Sequence, residues 1–280
     1  METTVFFLVA LAAVLHAVWN ALVKVGGDQL VAITLIMTTG AVVALCATPF
    51  VTFPDAASWP YLAASTMVHL LYYGFLVLAY RHGDLSLVYP IARGMAPVLV
   101  ALGAFLAADE RLSSQGVLAV SLISLGILSL AMGGRQALHG GRSVFFAICT
   151  GVSIAGYTLI DGLGGRATQH VLDYIVWLFV IEPLPLLAIT VALRRGRLMA
   201  TVRTEWRAGA LGGVFSMIAY GLVIWAMSLT PMTYVSALRE TSVIVAAIIG
   251  ARILREPMGQ RRIWAAAIVA VGVVLLNHGH

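Results

Sequence analysis

Runs of hydrophobic residues about 20 positions long, separated by short polar turns, occupy almost the whole chain. A helix that spans the hydrocarbon core of a membrane needs about 20 apolar residues. Ten runs reach this length, at approximately 4–23, 31–51, 59–80, 84–106, 114–132, 143–162, 172–193, 207–228, 232–252 and 261–277. A membrane β-barrel would instead show alternating segments of about ten residues. The pattern therefore predicts an all-α integral membrane protein with ten transmembrane helices.

The second half of the chain repeats the pattern of the first. Residues 83–130 align without a gap with residues 229–276. The alignment matches residues of the same type, namely Arg93 with Arg239, Glu110 with Glu256, and Gly126 with Gly272. Because each half contains an odd number of helices, five, the halves must be inverted relative to each other across the membrane. We therefore expect two inverted repeats, over residues 1–135 and 142–280, with a binding site at the midplane between them, as in secondary transporters.

Composition supports a membrane protein and excludes several other classes. The 280 residues are 61% hydrophobic and 10% charged, whereas soluble domains are about 25% charged. The first hydrophobic run lacks the basic start and the cleavage site of a signal peptide, so we interpret it as a transmembrane helix. The sequence contains no GxxxxGK[ST], HExxH, CxxC or GxSxG motif. We therefore expect no ATP-driven pump, no metal or cofactor site, and no enzyme.

The net charge of +5 is explained by topology rather than by nucleic-acid binding. Of the 17 Lys and Arg residues, 13 lie in the loops that follow odd-numbered helices. Two, Arg111 and Arg166, lie on the other side, and two, Arg93 and Arg239, lie inside spans. Cytoplasmic loops carry the excess of basic residues in membrane proteins. The count therefore predicts that both termini lie outside the cytoplasm, and we expect no nucleic-acid partner.

Charged residues inside the predicted spans are candidates for function, because a charge at the bilayer centre costs about 2.5–3.5 kcal/mol on insertion scales. Arg93 lies nine residues into its span, about 14 Å deep at about 1.5 Å per residue. Pro90 and Pro97 flank it. Since proline removes a helical hydrogen bond, we expect the helix to open at this charge. Tyr89 lies one turn earlier on the same face.

Glu182, Arg239 and Glu240 also lie inside spans, and two interpretations stay open for them. In the first, an ion pair such as Glu182 with Arg239, or Arg93 with Glu240, holds the two halves together. In the second, Arg93 binds an anionic group of a substrate, while Glu182 or Glu240 binds a cation or a proton. Arg93 is the better candidate to meet substrate, and Arg239 the better candidate to hold a neighbouring carboxylate.

Histidine, aspartate and aromatic side chains complete the set of candidates. His16 and His69 are either hydrogen-bonding partners between helices or ligands. Asp161 lies either within the membrane or at a solvated helix end. The aromatic candidates for a pocket wall are Trp19, Tyr73, Tyr157 and Tyr220.

Three stretches of the sequence resemble an EamA domain of the drug/metabolite transporter superfamily. In the first half, "RHGDLSLVYPIARGMAPVLV" is followed by an acidic turn at Glu110 and by a last helix that begins with serine. In the second half, "LTPMTYVSALRETSVIV" is followed by an acidic turn at Glu256. The stretch "HAVWNALVKVG" resembles the first helix of the family, so the resemblance covers essentially the whole chain. Asp109 and Arg255 depart from the pattern, because a small residue usually precedes each glutamate.

This resemblance implies a ten-helix carrier built from two EamA repeats, in which helices 1, 3, 4, 6, 8 and 9 surround a central cavity. It implies a secondary active transporter, an exporter of small polar metabolites such as amino acids or related organic anions, that works by alternating access. Glu182 lies on helix 7, outside that set; Glu182 and Glu240 are candidates for ion or proton coupling. Glu110 and Glu256 are interpreted as N-terminal partners of helices 5 and 10. The residues expected to bind substrate are Trp19, His69, Tyr73, Tyr89, Arg93, Tyr157, Tyr220, Arg239 and Glu240.

Two alternatives stay open for the function. A proton-coupled exporter of drugs or organic cations would need Glu240 and not Arg93, and a flippase for lipid-linked substrates would need a lateral opening and a basic headgroup pocket. In each case we expect a multi-pass protein of the bacterial inner membrane whose partners are lipid and a small-molecule substrate. One chain can suffice for transport, and a homodimer stays open. Family members are generally drawn with cytoplasmic termini, which conflicts with the charge count above.

Overall fold

The structure, a computed structural model, describes residues 2–25, 28–83, 85–131, 141–194, 196, 198–252 and 260–278. The predicted boundary between the repeats, the acidic turn at Glu256, and Arg135, Arg195, Arg197 and Arg255 of the charge count lie outside these residues. Within them the chain is helical and contains no β-strand. The α-helices are α1 (Thr3–Val25), α2 (Gln29–Ala47), α3 (Trp59–His82), α4 (Leu85–Ala108), α5 (Ser114–Leu128), α6 (Gly141–Ala167), α7 (Val171–Ile181), α8 (Pro183–Arg194), α9 (Leu198–Leu229), α10 (Met232–Arg239), α11 (Ser242–Arg252) and α12 (Gln260–His278). Short 3-10 helices at Thr48–Phe50 and Ala56–Ser58 lie between α2 and α3.

Eight helical segments of the described residues are long and apolar enough to cross a membrane. Many of their large hydrophobic side chains, such as Phe105 and Val271, are exposed, as lipid-facing residues are. The predicted all-α membrane class is therefore confirmed. Each predicted run coincides with one helix or with two consecutive helices. Because α5 has only 15 residues and the run at 232–252 is interrupted, the count of ten spans stays a prediction.

Two of the predicted runs are interrupted near their middle. The break between α7 and α8 falls at Glu182, just before Pro183, which has no N–H to donate to the preceding turn. The break between α10 and α11 falls at Glu240 and Thr241. There the N–H of Thr241 donates to the carbonyl oxygen of Leu238, three residues back, which is the tighter 3-10 spacing. Each break therefore lies at a buried glutamate.

Helix α4 is continuous, contrary to the expected opening at Arg93. It runs through Pro90 and Pro97 without interruption, because a single proline removes one hydrogen bond and neighbouring helices can hold the remaining turns in place. The interruption lies instead in the other half of the chain, directly after Arg239, the residue that aligns with Arg93.

The helices pack in combinations that join the two halves of the chain. Helices α3 and α4 pack on α6, α1 and α2 pack on α9, and α5 packs on α12. The last contact is close at two glycines, since a Cβ atom on Gly126 would lie 2.8 Å from Cγ2 of Val269, and one on Gly272 would lie 2.7 Å from Cγ1 of Ile123. Small residues let membrane helices approach this closely. The packing leaves inner faces of α1, α3, α4, α6, α9 and α10 around a common centre.

Candidate functional site

Two adjacent cavities lie at this centre. The larger cavity encloses about 470 Å³ of empty space, including the part open to the exterior, and is lined by His16, Trp19, Met37, His69, Tyr72, Tyr73, Tyr157, Phe179, Glu182, Ser216, Tyr220 and Arg239. The smaller cavity encloses about 320 Å³ on the same measure and is lined by His16, Asn20, Tyr72, Leu76, Tyr80, Tyr89, Ala92, Arg93, Thr150 and Ile154. His16 and Tyr72 belong to both walls, so the two cavities adjoin each other.

A buried cluster of charges links the two cavities. The Nε atom of Arg93 lies 2.7 Å from the Glu240 carboxylate, and the Nη2 atom of Arg239 lies 3.7 Å from the same group. Arg93, Arg239 and Glu240 are 3%, 2% and 0% exposed. Two guanidinium groups face one carboxylate, so this arginine cluster carries one positive charge in excess. Of the two ion pairs considered from the sequence, Arg93 with Glu240 is present, and Glu182 with Arg239 is absent from the ion pairs of the described residues.

The break between α10 and α11 positions the cluster. Arg239 is the last residue of α10, and Glu240 lies in the break, where the chain leaves regular helix geometry. Arg93 on α4 donates from Nη2 to the Ser242 hydroxyl at 3.1 Å, at the start of α11. Arg93 therefore contacts the break itself and the first residue of α11.

Arg239 faces the larger cavity, and its guanidinium has incomplete hydrogen bonding. Its Nη2 donates to the Thr158 hydroxyl at 3.3 Å, and the group lies 5.9 Å from the centre of the Tyr157 ring, within range of a cation–π contact. Its Nε atom has no hydrogen-bond partner among the described residues. Arg93 instead lines the smaller cavity, where it lies 5.9 Å from the centre of the Tyr89 ring.

Aromatic rings from α3, α6 and α9 form much of the wall of the larger cavity. The His69 ring stacks on Tyr157 with the centroids 4.1 Å apart. Tyr157 meets Tyr220 edge to face at 5.7 Å, and Tyr72 meets Tyr73 at 5.1 Å. Such side chains present apolar faces and polar tips to whatever occupies the space.

Helix α1 closes the same cavity with a hydrogen-bonded pair. The indole N–H of Trp19 donates to Nδ1 of His16 at 3.3 Å, and the Asn20 amide donates to the His16 carbonyl oxygen at 2.8 Å. His16, which sequence reasoning left open between a hydrogen-bonding residue and a ligand, is hydrogen-bonded and lines both cavities.

Glu182 lines the larger cavity, although the resemblance put its helix outside the cavity wall. It lies at the break between α7 and α8, is buried, and accepts a hydrogen bond of 2.8 Å from the Tyr73 hydroxyl. Phe179 on α7 and Met37 on α2 line the same cavity. Taken together, the two cavities are therefore lined by the second and seventh predicted helices in addition to the expected six.

Asp161 is a buried acid whose place the sequence left undecided. Because α6 continues to Ala167, Asp161 lies inside the helix and is 0% exposed. Its carboxylate accepts hydrogen bonds from the hydroxyl of Tyr174, at 2.8 Å, and from the hydroxyl of Tyr220. It is therefore not a solvated residue at a helix end.

Glu110 binds a different helix from the one expected. Its carboxylate accepts hydrogen bonds from the backbone N–H groups of Met232, at 3.0 Å, and Thr233, at the start of α10. Arg166 donates to it at 2.7 Å. Helix α5 is capped instead by the Ser113 hydroxyl, which accepts a hydrogen bond from the backbone N–H of Gly116 in the first turn. A carboxylate at the positive end of a helix is favourable, and here that helix is α10.

All ten residues predicted to bind substrate or couple ions lie in this central region. Seven line the larger cavity, Arg93 and Tyr89 line the smaller one, and Glu240 joins Arg93 to Arg239. Sequence reasoning missed several lining residues, among them Met37, Tyr72, Phe179 and Ser216. Of these, Tyr72 could have been found as the neighbour of Tyr73, whereas the others are ordinary residues of apolar helices. Within the described residues, no three His, Cys, Asp or Glu side chains are placed to hold a metal ion.

These features define a class, a multi-pass all-α membrane protein with a charged cavity among its helices. Residues 141–278 match the model of the EamA-like transporter family. The chain belongs to this family of transporters, within the drug/metabolite transporter superfamily. One crystal structure is similar to it with a TM-score of 0.72 and 15% identity, over 98% of this chain and 95% of the other, which shows a shared fold. No curated protein sequence matches the chain.

Proposed function

We propose that this protein is a secondary active transporter, and an exporter, of small polar metabolites such as amino acids or related organic anions. The substrate would bind in the larger cavity and reach each side of the membrane in turn by alternating access. No enzymatic step or cofactor is part of the proposal. The observation that carries it is the excess positive charge of the arginine cluster beside an aromatic cavity.

A buried positive charge in excess favours an anionic ligand. Desolvating an ionised group costs several kcal/mol unless an opposite charge compensates it. Glu240 lies 2.7 Å from Arg93 and 3.7 Å from Arg239. Neither arginine Nε has a hydrogen-bond partner among the described residues, but that of Arg93 is the atom in contact with the Glu240 carboxylate. A substrate carboxylate in the larger cavity would complete the pairing through the planar donor fork of arginine. These contacts favour Arg239, rather than Arg93, as the residue that meets the substrate.

A carboxylate on the same wall favours amino acids among the anions. Glu182 and Arg239 both line the larger cavity, and the Glu182 carboxylate accepts a hydrogen bond from the Tyr73 hydroxyl. A carboxylate so placed can also bind an ammonium group. An amino acid carries both charges on one carbon atom, and the stacked rings of His69 and Tyr157 would contact its side chain.

The contact between α5 and α12 supports the predicted inverted repeats. Gly126 faces Val269, and Gly272 faces Ile123. Adding 146 to the numbers of Gly126 and Ile123 gives those of Gly272 and Val269, so the repeat shift exchanges the two contacts. Residue numbers rise along one helix as they fall along the other, so the helices are antiparallel. A two-fold axis that relates them is therefore perpendicular to both, as inverted repeats and alternating access require.

Two other functions are alternatives to this proposal. An exporter of drugs or organic cations would use Glu240 as its acid, but Arg93 and Arg239 beside that carboxylate make it a poor partner for a cation. A flippase for lipid-linked substrates would also use a basic pocket, and would differ in the size of its ligand. Both alternatives are distinguished from the proposal by the choice of ligands in a binding assay.

Ligand-induced thermal stabilisation of the purified protein tests the proposal. A ligand that binds the folded state raises the unfolding temperature. We expect amino acids or organic anions to stabilise the wild type and not Arg239→Gln. The matched control is Arg111→Gln, because that side chain is 78% exposed and pairs with Asp109 at the surface. Stabilisation by lipophilic cations that Glu240→Gln abolishes, or unchanged anion binding in Arg239→Gln, would contradict the proposal.

Orientation and assembly are parts of the proposal that need their own measurements. The basic loops favour extracytoplasmic termini in the bacterial inner membrane, whereas the family expectation favours cytoplasmic ones. Alkaline phosphatase or a fluorescent protein fused after His280 reports the side, since the first is active outside the cytoplasm and the second inside. We propose a monomer as the transport unit because one chain contains both repeats, and cross-linking in membranes would reveal a homodimer.

A further inference from the structure

We infer that Asp161 is a proton-binding site coupled to the substrate cavity, an inference that rests on the proposed transport function. Asp161 lies inside α6, is 0% exposed, and is bonded by hydroxyl groups from two other helices. One proton adds to a carboxylate oxygen and later leaves to water in the cavity, and no other covalent bond changes.

The groups that face Asp161 are neutral hydroxyls and one imidazole. Tyr174 on α7 and Tyr220 on α9 donate to its two oxygens, and Ser65 and His69 on α3 lie beside it. The Nδ1 atom of His69 lies 3.0 Å from the carbonyl oxygen of Ser65, so this nitrogen donates there. Among the ion pairs of the described residues, none includes Asp161. When it is ionised, this carboxylate therefore has no arginine or lysine partner among the described residues, and the imidazole of His69 is the basic group that faces it.

The other two buried acids of the centre have different partners. Glu240 is flanked by Arg93 and Arg239, so a proton on it would leave two positive charges without compensation. Glu182 lines the larger cavity, where the proposed function has it bind an ammonium group. An ionised carboxylate without a cation is costly at membrane depth, and binding a proton removes that cost. Of the three acids, Asp161 is therefore the one suited to gain and lose a proton.

Tyr220 connects Asp161 with the substrate cavity. Its hydroxyl donates to Asp161, while its ring lines the larger cavity and lies 5.7 Å from the Tyr157 ring and 5.8 Å from the His69 ring. Tyr157 in turn lies beneath the Arg239 guanidinium. A carboxylate only accepts hydrogen bonds, whereas a protonated carboxyl also donates one, so protonation must rearrange the bond to Tyr220. A proton at Asp161 and an anion at Arg239 therefore both affect the aromatic wall of the larger cavity, the proton through Tyr220 and the anion through Tyr157.

The close packing of α6 and α7 gives the site its second hydroxyl. A Cβ atom on Gly164 would lie 2.5 Å from the Tyr174 ring, so the absence of a side chain lets Tyr174 lie one helical turn from Asp161. Three helices besides α6 thus supply groups to one carboxylate.

Infrared titration of the purified protein tests the proton site without any transport measurement. A protonated carboxyl has a C=O stretching band that a carboxylate lacks. We expect a pH-dependent band in the wild type that Asp161→Asn removes and that the matched control Asp173→Asn keeps. Asp173 is also buried and bonded to a hydroxyl, that of Thr52, but at the first turn of α7. A band that Asp161→Asn leaves unchanged would overturn the inference.

A second variant keeps the test valid if Asp161→Asn does not fold. Tyr220→Phe retains Asp161 but removes one hydrogen bond that favours the ionised form. We expect the midpoint of the band to move upward by roughly one pH unit, since a hydrogen bond to a charged group contributes about 1.5–3 kcal/mol and one unit corresponds to about 1.4 kcal/mol. An unchanged midpoint in a folded Tyr220→Phe protein would contradict the inference.

Transport in proteoliposomes tests the coupling itself. With a mixture of labelled L-amino acids and an imposed pH gradient, we expect accumulation by the wild type and by Asp173→Asn, and its loss in Asp161→Asn. Accumulation by Asp161→Asn at the wild-type level would overturn the coupling. If the wild type accumulates no amino acid, the proposed amino-acid substrate is wrong, and the infrared titration still decides whether Asp161 binds a proton.

Discussion

Replacing Glu240 with glutamine tests whether charge holds the arginine cluster together. Glutamine preserves the size of the side chain but removes the negative charge, so Arg93 and Arg239 remain buried without a counter-charge. Removing one partner of a buried ion pair costs about 3–5 kcal/mol. At about 2–4 °C per kcal/mol for chains of about 150–250 residues, the unfolding temperature should fall by roughly 10 °C.

The geometry also predicts how related variants should rank. Arg93→Met leaves Glu240 with Arg239 at 3.7 Å, so it should cost less stability than Glu240→Gln. The double variant Arg93→Met/Glu240→Gln leaves one uncompensated arginine instead of two. It should therefore be more stable than Glu240→Gln alone, although it carries one substitution more.

Thermal unfolding in detergent, followed by the fluorescence of the six tryptophans, measures these differences. The control is Asp109→Asn, which also turns a carboxylate into an amide, in a pair with Arg111 whose side chains are 79% and 78% exposed. Exposed pairs contribute at most about 1 kcal/mol, so this control should unfold near the wild-type temperature. If Glu240→Gln also unfolds there, or if the double variant is the least stable of the set, the buried charges do not stabilise the fold as argued.

Single contacts elsewhere lead to three more predictions. Gly272→Ala should lower the free energy of unfolding by about 1–3 kcal/mol, because its Cβ would lie 2.7 Å from a neighbouring side chain. The control Gly74→Ala should be neutral, because nothing lies within 4 Å of its Cβ. Equal losses of stability in the two variants would contradict the close packing. Glu110→Gln should speed hydrogen exchange at the first amides of α10, which that carboxylate binds, and unchanged exchange would refute this role. Desolvation raises the pKa of the Asp28 carboxyl. Hydrogen bonds from Arg194 and from backbone amides of α2 outweigh this effect, so the pKa is lowered overall. The stabilisation by Asp28 should therefore be complete above about pH 4 and be lost as the pH falls further. The measurement compares the unfolding temperatures of wild type and Asp28→Asn. A difference between them that does not change with pH would contradict the prediction.

The membrane class could be predicted from the sequence because lipid allows few backbone structures. A span has to satisfy its backbone hydrogen bonds internally, so an apolar run of sufficient length predicts a helix without knowledge of its neighbours. The run at 84–106 illustrates this, since α4 covers Leu85–Ala108 despite its arginine and its two prolines. The prolines did not interrupt the helix, because local sequence rules are weaker than the packing of the surrounding helices.

Helix α6 illustrates what could not be predicted in the same way. The stretch "GLGGR" has the composition of a turn, so the predicted run ends at residue 162, whereas α6 continues to Ala167. Its glycines serve close packing, since a Cβ atom on Gly162 would lie 2.3 Å from Sδ of Met232. Such contacts come from residues far away in the sequence. For this reason the sequence left open whether Asp161 lies within the helix or at its end.

The pairing of charges could be narrowed but not decided from the sequence. From the sequence, Arg93 with Glu240 and Glu182 with Arg239 were both open. The structure contains the first pair, while the Glu182 carboxylate accepts a hydrogen bond from the Tyr73 hydroxyl. On a regular helix, adjacent side chains such as those of Arg239 and Glu240 point about 100° apart. The 3-10 break after Arg239 changes those directions, and it occurs without a proline or glycine that would have signalled it.

The two proposed sites constrain each other through thermodynamic reciprocity. If an anion at Arg239 changes the proton affinity of Asp161, then a proton at Asp161 must change the anion affinity by the same factor. Tyr157 contacts Arg239, Tyr220 donates to Asp161, and the two rings contact each other, so any such effect should depend on these two tyrosines. A wild type whose anion affinity changes about tenfold with pH would reflect a coupling of about 1.4 kcal/mol. Asp161→Asn should then bind the anion equally well across that pH range, because the group proposed to exchange the linked proton has been removed.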